Sequence, residues 1–185
     1  QEGIEKGRKV RNDSTVVESN IHKPFDSVQL FDCVRVLTRL LQKARDNFGA
    51  KVIFSDHQRR AKRRMVGIQY ARGEKQRDHR YKDLLKITRK VIVYARSAEG
   101  ILKQLPSADI RLLGLINEIK HFADLSEQVY DQTCRRVIQG ETVPATQKVV
   151  SIFEDHTDVI VKDNRDTYYG HKICLTGGAS NLILD

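Results

Sequence analysis

The chain has no tryptophan, one methionine, three prolines and three cysteines among its 185 residues. Cys33, Cys134 and Cys174 are odd in number and show no Cys-x-x-Cys spacing, so we expect buried thiols of a reducing cytoplasm and neither disulfides nor zinc ligands. No apolar stretch approaches the roughly 20 residues that a membrane span requires, and no signal-peptide pattern is present. The composition therefore argues against a disulfide-rich secreted domain and against membrane attachment.

The length limits the number of domains. A chain of 185 residues buries one good core, or one core with a helical insertion, but hardly two full enzyme domains. It begins with Gln1 and ends with Asp185, directly after an apolar run at residues 182–184. We therefore expect it to be a fragment of a longer protein.

Positive charge is concentrated in one part of the chain. Residues 57–96 contain fourteen Lys/Arg and three Asp/Glu, whereas the net charge of the whole chain is +9. Such a block attracts phosphate groups by Coulomb steering and counterion release. A solvated helix face is the plainer alternative, but the density of charge favours contact with nucleic acid. The predicted contacts in this block are Arg59, Arg60, Lys62, Arg63, Arg64, Arg77 and Arg80.

Hydrophobic periodicity predicts a first helix that begins at Asp26 and ends at Gly49. Apolar side chains recur between these residues at three- and four-residue steps, which places them on one stripe. Asp26 is expected to cap the helix by accepting a hydrogen bond from an unpaired amide. In residues 50–78 the pattern is weaker, and we predict helix for the second half only.

A long helical hairpin is predicted next. From Tyr81 to Leu105 the apolar residues alternate steps of three and four, the pattern of a helix that packs on another. Pro106 cannot continue this helix, and Ser107 is the predicted cap of an antiparallel partner that runs to Gly140. We expect the helical block to fold as one unit.

Strand patterns occupy both ends of the chain. Residues 10–21 contain a β-branched run, and residues 149–153, 158–161 and 169–175 are β-branched or alternating. Gly177 and Gly178, with Ser180 and Asn181, are typical of a hairpin turn that leads into residues 182–184. The prediction is a mixed α/β (α+β) fold in three regions: a lead-in and first strand at 1–25, a helical block at 26–142, and a β-meander at 143–185.

Four sequence stretches, each present once, follow one another in an order that covers nearly the whole chain. They are Asp13-Ser-Thr-Val-Val-Glu-Ser-Asn-Ile-His22, Pro24-x-Asp26-Ser27, Val150-Ser-Ile-Phe-Glu-Asp-His-Thr-Asp158 and Tyr168-Tyr-Gly-His-Lys172. Together they resemble the DDE transposases of bacterial insertion sequences, in particular their ISNCY group. The resemblance implies the N-terminal part of an RNase H-like core, interrupted by the helical block as a large insertion.

The resemblance also implies a metal-dependent chemistry. In this family three acidic residues hold two Mg²⁺ ions that activate the attacking oxygen for DNA strand cleavage and transfer. Asp13 corresponds to the first of them, on the first strand, and is the predicted catalytic residue and metal ligand. Residues 170–173 and 182–184 correspond to the next two strands. The second Asp and the Glu are expected beyond Asp185, so we expect the chain given to be catalytically incomplete and inactive.

The partners implied are DNA, both as transposon ends and as target, and a second copy in a homodimer of the full-length protein. A cytoplasmic protein associated with the bacterial nucleoid is expected. Lys172, on the second strand, is a further candidate for contact with the DNA backbone, although a solvated strand lysine is an equal alternative.

Other polar residues are weaker candidates. Glu18 lies five residues beyond Asp13, so strand alternation places it on the opposite face. Asp155, Asp158, Asp163 and Asp166 do not fit a calcium loop. His22, His156 and His171 are near carboxylates in sequence, but a lone histidine is more often a hydrogen-bonded structural residue.

A second function class stays open. The basic block and the heptad-like seam alone would also suit a non-catalytic module that binds nucleic acid or partner helices. A downstream strand with an acidic residue and a later helix with Glu would distinguish the transposase from this alternative.

Overall fold

A computed structural model describes residues 10–106, 109–162 and 166–178. In chain order its elements are strand β1 (Val10–Glu18), helices α1 (Asp26–Phe48), α2 (Gln58–Gln69), α3 (Glu74–Lys103) and α4 (Ile110–Thr133), and strands β2 (Asp158–Lys162) and β3 (Asp166–Gly178). A π-helical turn (Cys134–Ile138) extends α4, and a short 3-10 turn (Ala145–Gln147) follows. The predicted α+β class is confirmed.

The chain forms two compact units. One unit is helical and comprises residues 23–155, and the other holds β1 with the described residues from 156 onward. Because residues 143–155 belong with the helices, the helical unit reaches further along the chain than the predicted helical block. No helix in the described ranges is long and apolar enough to cross a bilayer.

The helical unit is built around α1, α3 and α4, which pack against one another in all three pairs. Side chains of α1 such as Leu30, Leu37 and Leu41 are fully buried. The predicted seam of α3 is confirmed, since its residues are buried, with Leu105 alone half-buried: Tyr81, Leu84, Thr88, Val91, Ala95, Ala98 and Leu102. Burial of these apolar surfaces is the main force that holds the three helices together.

The hairpin of α3 and α4 is antiparallel, as predicted. Arg96 of α3 pairs with Asp124 and Glu127 of α4, while Arg89, seven residues earlier, lies beside Tyr130, farther along α4. The predicted cap of α4 is wrong. The helix begins at Ile110, and its cap is Asp109, whose carboxylate accepts a hydrogen bond from the Arg111 amide at 2.8 Å. Ser107 lies outside the described residues.

Helix α1 has the predicted bounds, but Asp26 has a different role. Gly49 ends the helix in a left-handed conformation with φ of 59°, which a residue with a Cβ adopts at a cost. Asp26 is the first helical residue, and its carboxylate accepts a hydrogen bond from Arg136 at 3.0 Å instead of capping the amides. Burial raises the pKa of Asp26, against the opposing effect of Arg136 and Lys148.

The prediction for residues 50–78 was wrong in its boundaries. Helix α2 starts at Gln58, whose amide donates to the carboxylate of Asp56 at 2.8 Å, and it ends at Gln69. A turn then precedes α3, which starts at Glu74, about two turns before Tyr81. Asp56 supplies the acceptor for an otherwise unpaired amide of the first turn.

Residues 149–153 are not a strand, which corrects the prediction for this segment. The Gln132 side chain accepts from the Val149 amide at 2.9 Å and donates to the Val149 carbonyl at 3.0 Å. Gln29 donates to the Val150 carbonyl at 2.7 Å. Two helix side chains therefore satisfy the buried backbone that a neighbouring strand would otherwise pair.

The sheet has the order β1-β3-β2, with both neighbouring pairs antiparallel. The strand at 169–175 is confirmed and is longer than predicted. Gly177 and Gly178 pair with Arg11 and Val10 inside β3, so the predicted hairpin turn at these glycines is wrong. Ser180, Asn181 and residues 182–184 lie outside the described residues.

One glycine is required on the central strand of the sheet, β3. Gly170 is buried and pairs with Glu18 on one side and with Asp158 on the other. A Cβ at this position would overlap the Val17 carbonyl and lie 2.7 Å from the Glu18 Cα. The three strands approach so closely here that only a residue without a side chain fits.

The three thiols are free. Cys33 is buried as predicted, and burial raises its pKa to about 12. Cys134 is half-buried and Cys174 is exposed, so the prediction of a buried thiol is wrong for Cys174.

Candidate nucleic-acid interface

The basic block of residues 57–96 forms α2 and most of α3. Helix α2 rests on the core through Ala61 and Ile68, the two buried residues of that helix. Three cations lie on its opposite side, spaced by three and four residues: Arg59, Lys62 and Arg63. All three are exposed, and none forms an ion pair within the described parts of the chain.

Arg60 and Arg64 face the other way, toward α3. Both pair with the carboxylate of Asp83, Arg64 at 2.5 Å between its Nε and Oδ2, and Arg60 through both of its hydrogen-bonding nitrogens. Burial alone would raise the pKa of Asp83, but the hydrogen bonds from Arg64 and Arg60 outweigh it and hold that pKa below its ordinary value. These two arginines tie α2 to α3, which gives them an internal role besides the predicted contact with nucleic acid.

Arg80 and Arg77 differ in the same way. The Arg80 guanidinium donates to the Gly67 carbonyl near the end of α2 and is half-buried. Arg77 is exposed and lines a groove beside the aromatic rings of Phe25, Tyr70 and Tyr81. Of this pair, Arg77 is the one that presents its charge to solvent.

The outer side of α3 carries a row of lysines. Lys75, Lys82, Lys86 and Lys90 are all exposed, and their spacing of seven, four and four residues places them along one side of the helix. The part of the structure that is described shows no ion pair for any of them. We call this row, together with Arg59, Lys62 and Arg63, the outward basic face.

Arg96 ends the basic block and faces α4. It donates to Glu127 at 2.9 Å and to Asp124 at 2.6 Å. The hydrogen bond to Glu127 raises the pKa of Arg96, and Asp124 adds to the effect. The acidic side chains of α4 thus neutralise this arginine, while the outward basic face keeps its charge.

The predicted metal ligand lies in the other unit. Asp13 is exposed on β1, opposite Leu175 of β3. Among the described residues there is no group of three His, Cys, Asp or Glu side chains that could hold a metal ion. Asp13 is therefore at most one ligand of such a site, and residues 10–106, 109–162 and 166–178 do not complete a two-metal centre.

The remaining candidates of this unit lie on β3 and near it. Lys172 is exposed and pairs with Val16 of β1. The imidazole rings of His156 and His171 stack, with 5.0 Å between centroids and 8° between planes. Asp163 lies outside the described residues. These residues gain no further assignment from the structure.

Sequence reasoning missed the role of Asp83. Only three acidic residues interrupt the fourteen cations of the block, and this scarcity was the available signal that one of them holds neighbouring arginines in place. Which arginines it holds could not be read from the sequence, because the pairs join residues 19 and 23 positions apart.

Comparison of the chain with protein-family models, with curated proteins and with solved structures gives no match.

Proposed function

We propose that this chain belongs to a DNA transposase of the DDE type and that its helical unit binds DNA through the phosphate backbone. The observation that supports DNA binding is the outward basic face, seven exposed cations on α2 and α3 without acidic partners in the described chain. Duplex DNA carries one negative charge per about 1.7 Å of helix axis, so a row of cations along a helix can meet several phosphates.

Contact with phosphates gives affinity without sequence selectivity. Lysine and arginine side chains on an exposed helix face position a protein on DNA, whereas selectivity requires contacts to base edges. Binding is therefore expected to tolerate changes of sequence and to weaken steeply with salt, because each neutralised phosphate releases counterions.

The salt dependence of affinity tests this proposal. Substitution of Arg59→Gln together with Arg63→Gln removes two cations of the outward basic face. The slope of log affinity against log salt concentration should flatten by about 1.8, since each phosphate contact accounts for about 0.9. A matched control is Arg39→Gln with Lys51→Gln, which removes two exposed cations outside the basic block. Equal slopes for the two double variants would contradict the proposal.

The catalytic part of the proposal depends on the family motif around Asp13 and on its position in β1, which pairs antiparallel with the strand that holds residues 170–173. We propose that β1 and β3 belong to an RNase H-like core and that Asp13 supplies one carboxylate to a Mg²⁺ site. In a form of the protein that carries the other acidic ligands, Asp13→Asn should abolish Mg²⁺-dependent strand cleavage and leave DNA binding unchanged. Near-normal cleavage by that variant would contradict the assignment.

A non-catalytic module for partner helices has less support. Its main sequence feature was the heptad-like seam of α3, and this seam is buried inside the helical unit against α1 and α4. The seam is therefore already used within the chain.

A further inference from the structure

A groove of about 470 Å³ lies between the start of α2 and the middle of α3. Its apolar lining comes from Ile87, which is buried, and from Val93 and Tyr94. Grooves of this size with an apolar lining and a few polar groups are typical of sites for small aromatic ligands or parts of larger ones.

His57 lines this groove and carries an unsatisfied polar atom. Its ring lies nearly parallel to that of Tyr94, with 6.3 Å between centroids and 17° between planes. The Nε2 atom of His57 is buried and has no hydrogen-bond partner anywhere in the described chain. An unpaired buried nitrogen is costly, and a turn of the His57 ring that brings it to a ligand with a donor or acceptor at its edge would relieve that cost.

Four cationic residues line the same groove: Arg60, Lys86, Arg89 and Lys90. Lys86 and Lys90 are one helical turn apart, both are exposed, and both belong to the outward basic face. Arg60 also reaches the groove, where Asp83 holds its guanidinium. The groove therefore combines a flat aromatic surface, a ring nitrogen in need of a partner and two ammonium groups that lack a counter-charge.

A nucleotide has the complementary set of groups, because it joins a flat base with hydrogen-bonding edges to a phosphate. We propose that the groove binds one unpaired nucleotide of a DNA strand, with the base against Tyr94, its edge at the His57 Nε2 atom, and its phosphate beside Lys86 and Lys90. This inference rests on the proposed DNA binding and adds the kind of DNA that is preferred.

The surroundings of the groove favour a strand over a free mononucleotide. Residues 75–90, which carry the lysine row, span about 22 Å of α3. That is long enough to follow the phosphates on either side of the bound nucleotide. A base inside a paired duplex is stacked between its neighbours and cannot present its face to Tyr94, so the site should discriminate paired from unpaired DNA.

The test measures the binding of the full 185-residue chain to two DNA probes that share one strand. One probe is a fully paired duplex, and the other carries a single bulged nucleotide whose base is the fluorescent analogue 2-aminopurine. The bulged probe should bind roughly 5- to 150-fold more tightly, the range expected from stacking one base on an aromatic side chain. Its 2-aminopurine emission should be quenched on binding.

Variants of Tyr94 connect this preference to the groove. Tyr94→Leu should lose the preference while it keeps the affinity for paired DNA, and Tyr94→Phe should retain both. Arg39→Gln, an exposed arginine on α1, is the control that changes neither. If Tyr94→Leu does not fold, His57→Ala replaces it, because the His57 side chain makes no capping hydrogen bond to α2. The loss of preference is again expected.

Two outcomes would overturn the inference. They are equal affinity of the chain for the two probes, and a preference for the bulged probe that survives in Tyr94→Leu or in His57→Ala. If only the proposed role of the groove is wrong, the chain still binds the paired duplex tightly. If the chain binds neither probe, the proposed DNA binding fails as well.

Discussion

Substitution of Asp83 by Asn should loosen α2 from α3, because one carboxylate holds two arginines there. The Asp83 side chain is 15% exposed, whereas those of Arg60 and Arg64 are 51% and 38% exposed. Asn keeps the shape but removes the charge.

The loss of unfolding free energy expected for Asp83→Asn lies between two limits. Exposed ion pairs contribute about 0.2–1 kcal/mol each, and hydrogen bonds to charged groups contribute about 1.5–3 kcal/mol. With a mostly buried carboxylate and half-exposed arginines, we expect Asp83→Asn to lower the free energy of unfolding by about 1–2 kcal/mol at neutral pH. Asp46→Asn removes the same charge from an exposed pair with Arg45 and should cost less than about 0.5 kcal/mol.

The pH dependence gives an independent check on the mechanism. The pKa of Asp83 is lowered in the folded protein, so its stabilising contribution is present above the unfolded pKa of about 3.9 and is lost as the pH falls through the folded pKa. The difference in unfolding free energy between the wild type and Asp83→Asn should therefore narrow below about pH 4.

Urea unfolding followed by circular dichroism measures both effects. Equal unfolding free energies of the wild type and Asp83→Asn at neutral pH, or a difference between them that widens in acid, would refute the role given to Asp83.

The substitution also frees Arg60 and Arg64, so the same variant should bind DNA more tightly and with a steeper salt dependence. Weaker DNA binding by a folded Asp83→Asn chain would contradict that part.

Three further substitutions test the packing. Thr38→Val should raise the free energy of unfolding by about 1 kcal/mol, because the buried Thr38 hydroxyl has no hydrogen-bond partner in the described ranges; a loss of stability in urea unfolding would contradict this. Gln132→Leu leaves both backbone groups of Val149 unpaired and should cost at least about 2 kcal/mol, with faster amide hydrogen exchange at residues 149–150; unchanged exchange would show that this contact is dispensable. Gly170→Ala should disrupt the sheet, because the added Cβ overlaps the Val17 carbonyl; unchanged strand signals in nuclear magnetic resonance spectra would oppose the close approach seen here.

The sequence was sufficient for features that depend on local periodicity. The apolar steps from Asp26 and the left-handed residue at Gly49 define α1, and the seam from Tyr81 defines the buried side of α3. In each case the buried residues follow the 3.6-residue period, so no distant contact was needed to recognise them.

Features that depend on distant contacts were missed. Residues 149–153 have a strand-like pattern, but Gln29 and Gln132, far away in sequence, pair their backbone instead. The arginines of the basic block look alike in sequence, yet Asp83 separates Arg60 and Arg64 from Arg59 and Arg63. The groove at His57 is formed by residues from the start of α2 and the middle of α3, and no sequence motif in either region indicates it.

The most direct test of DNA binding is a lysine footprint. Chemical acetylation of the free chain and of its complex with duplex DNA, read by mass spectrometry, reports which ammonium groups the DNA covers. We expect DNA to protect Lys62, Lys86 and Lys90 of the outward basic face and to leave Lys51 and Lys120 reactive. Protection of Lys51 or Lys120 without protection of the outward basic face, or no protected lysine in a saturated complex, would contradict the account.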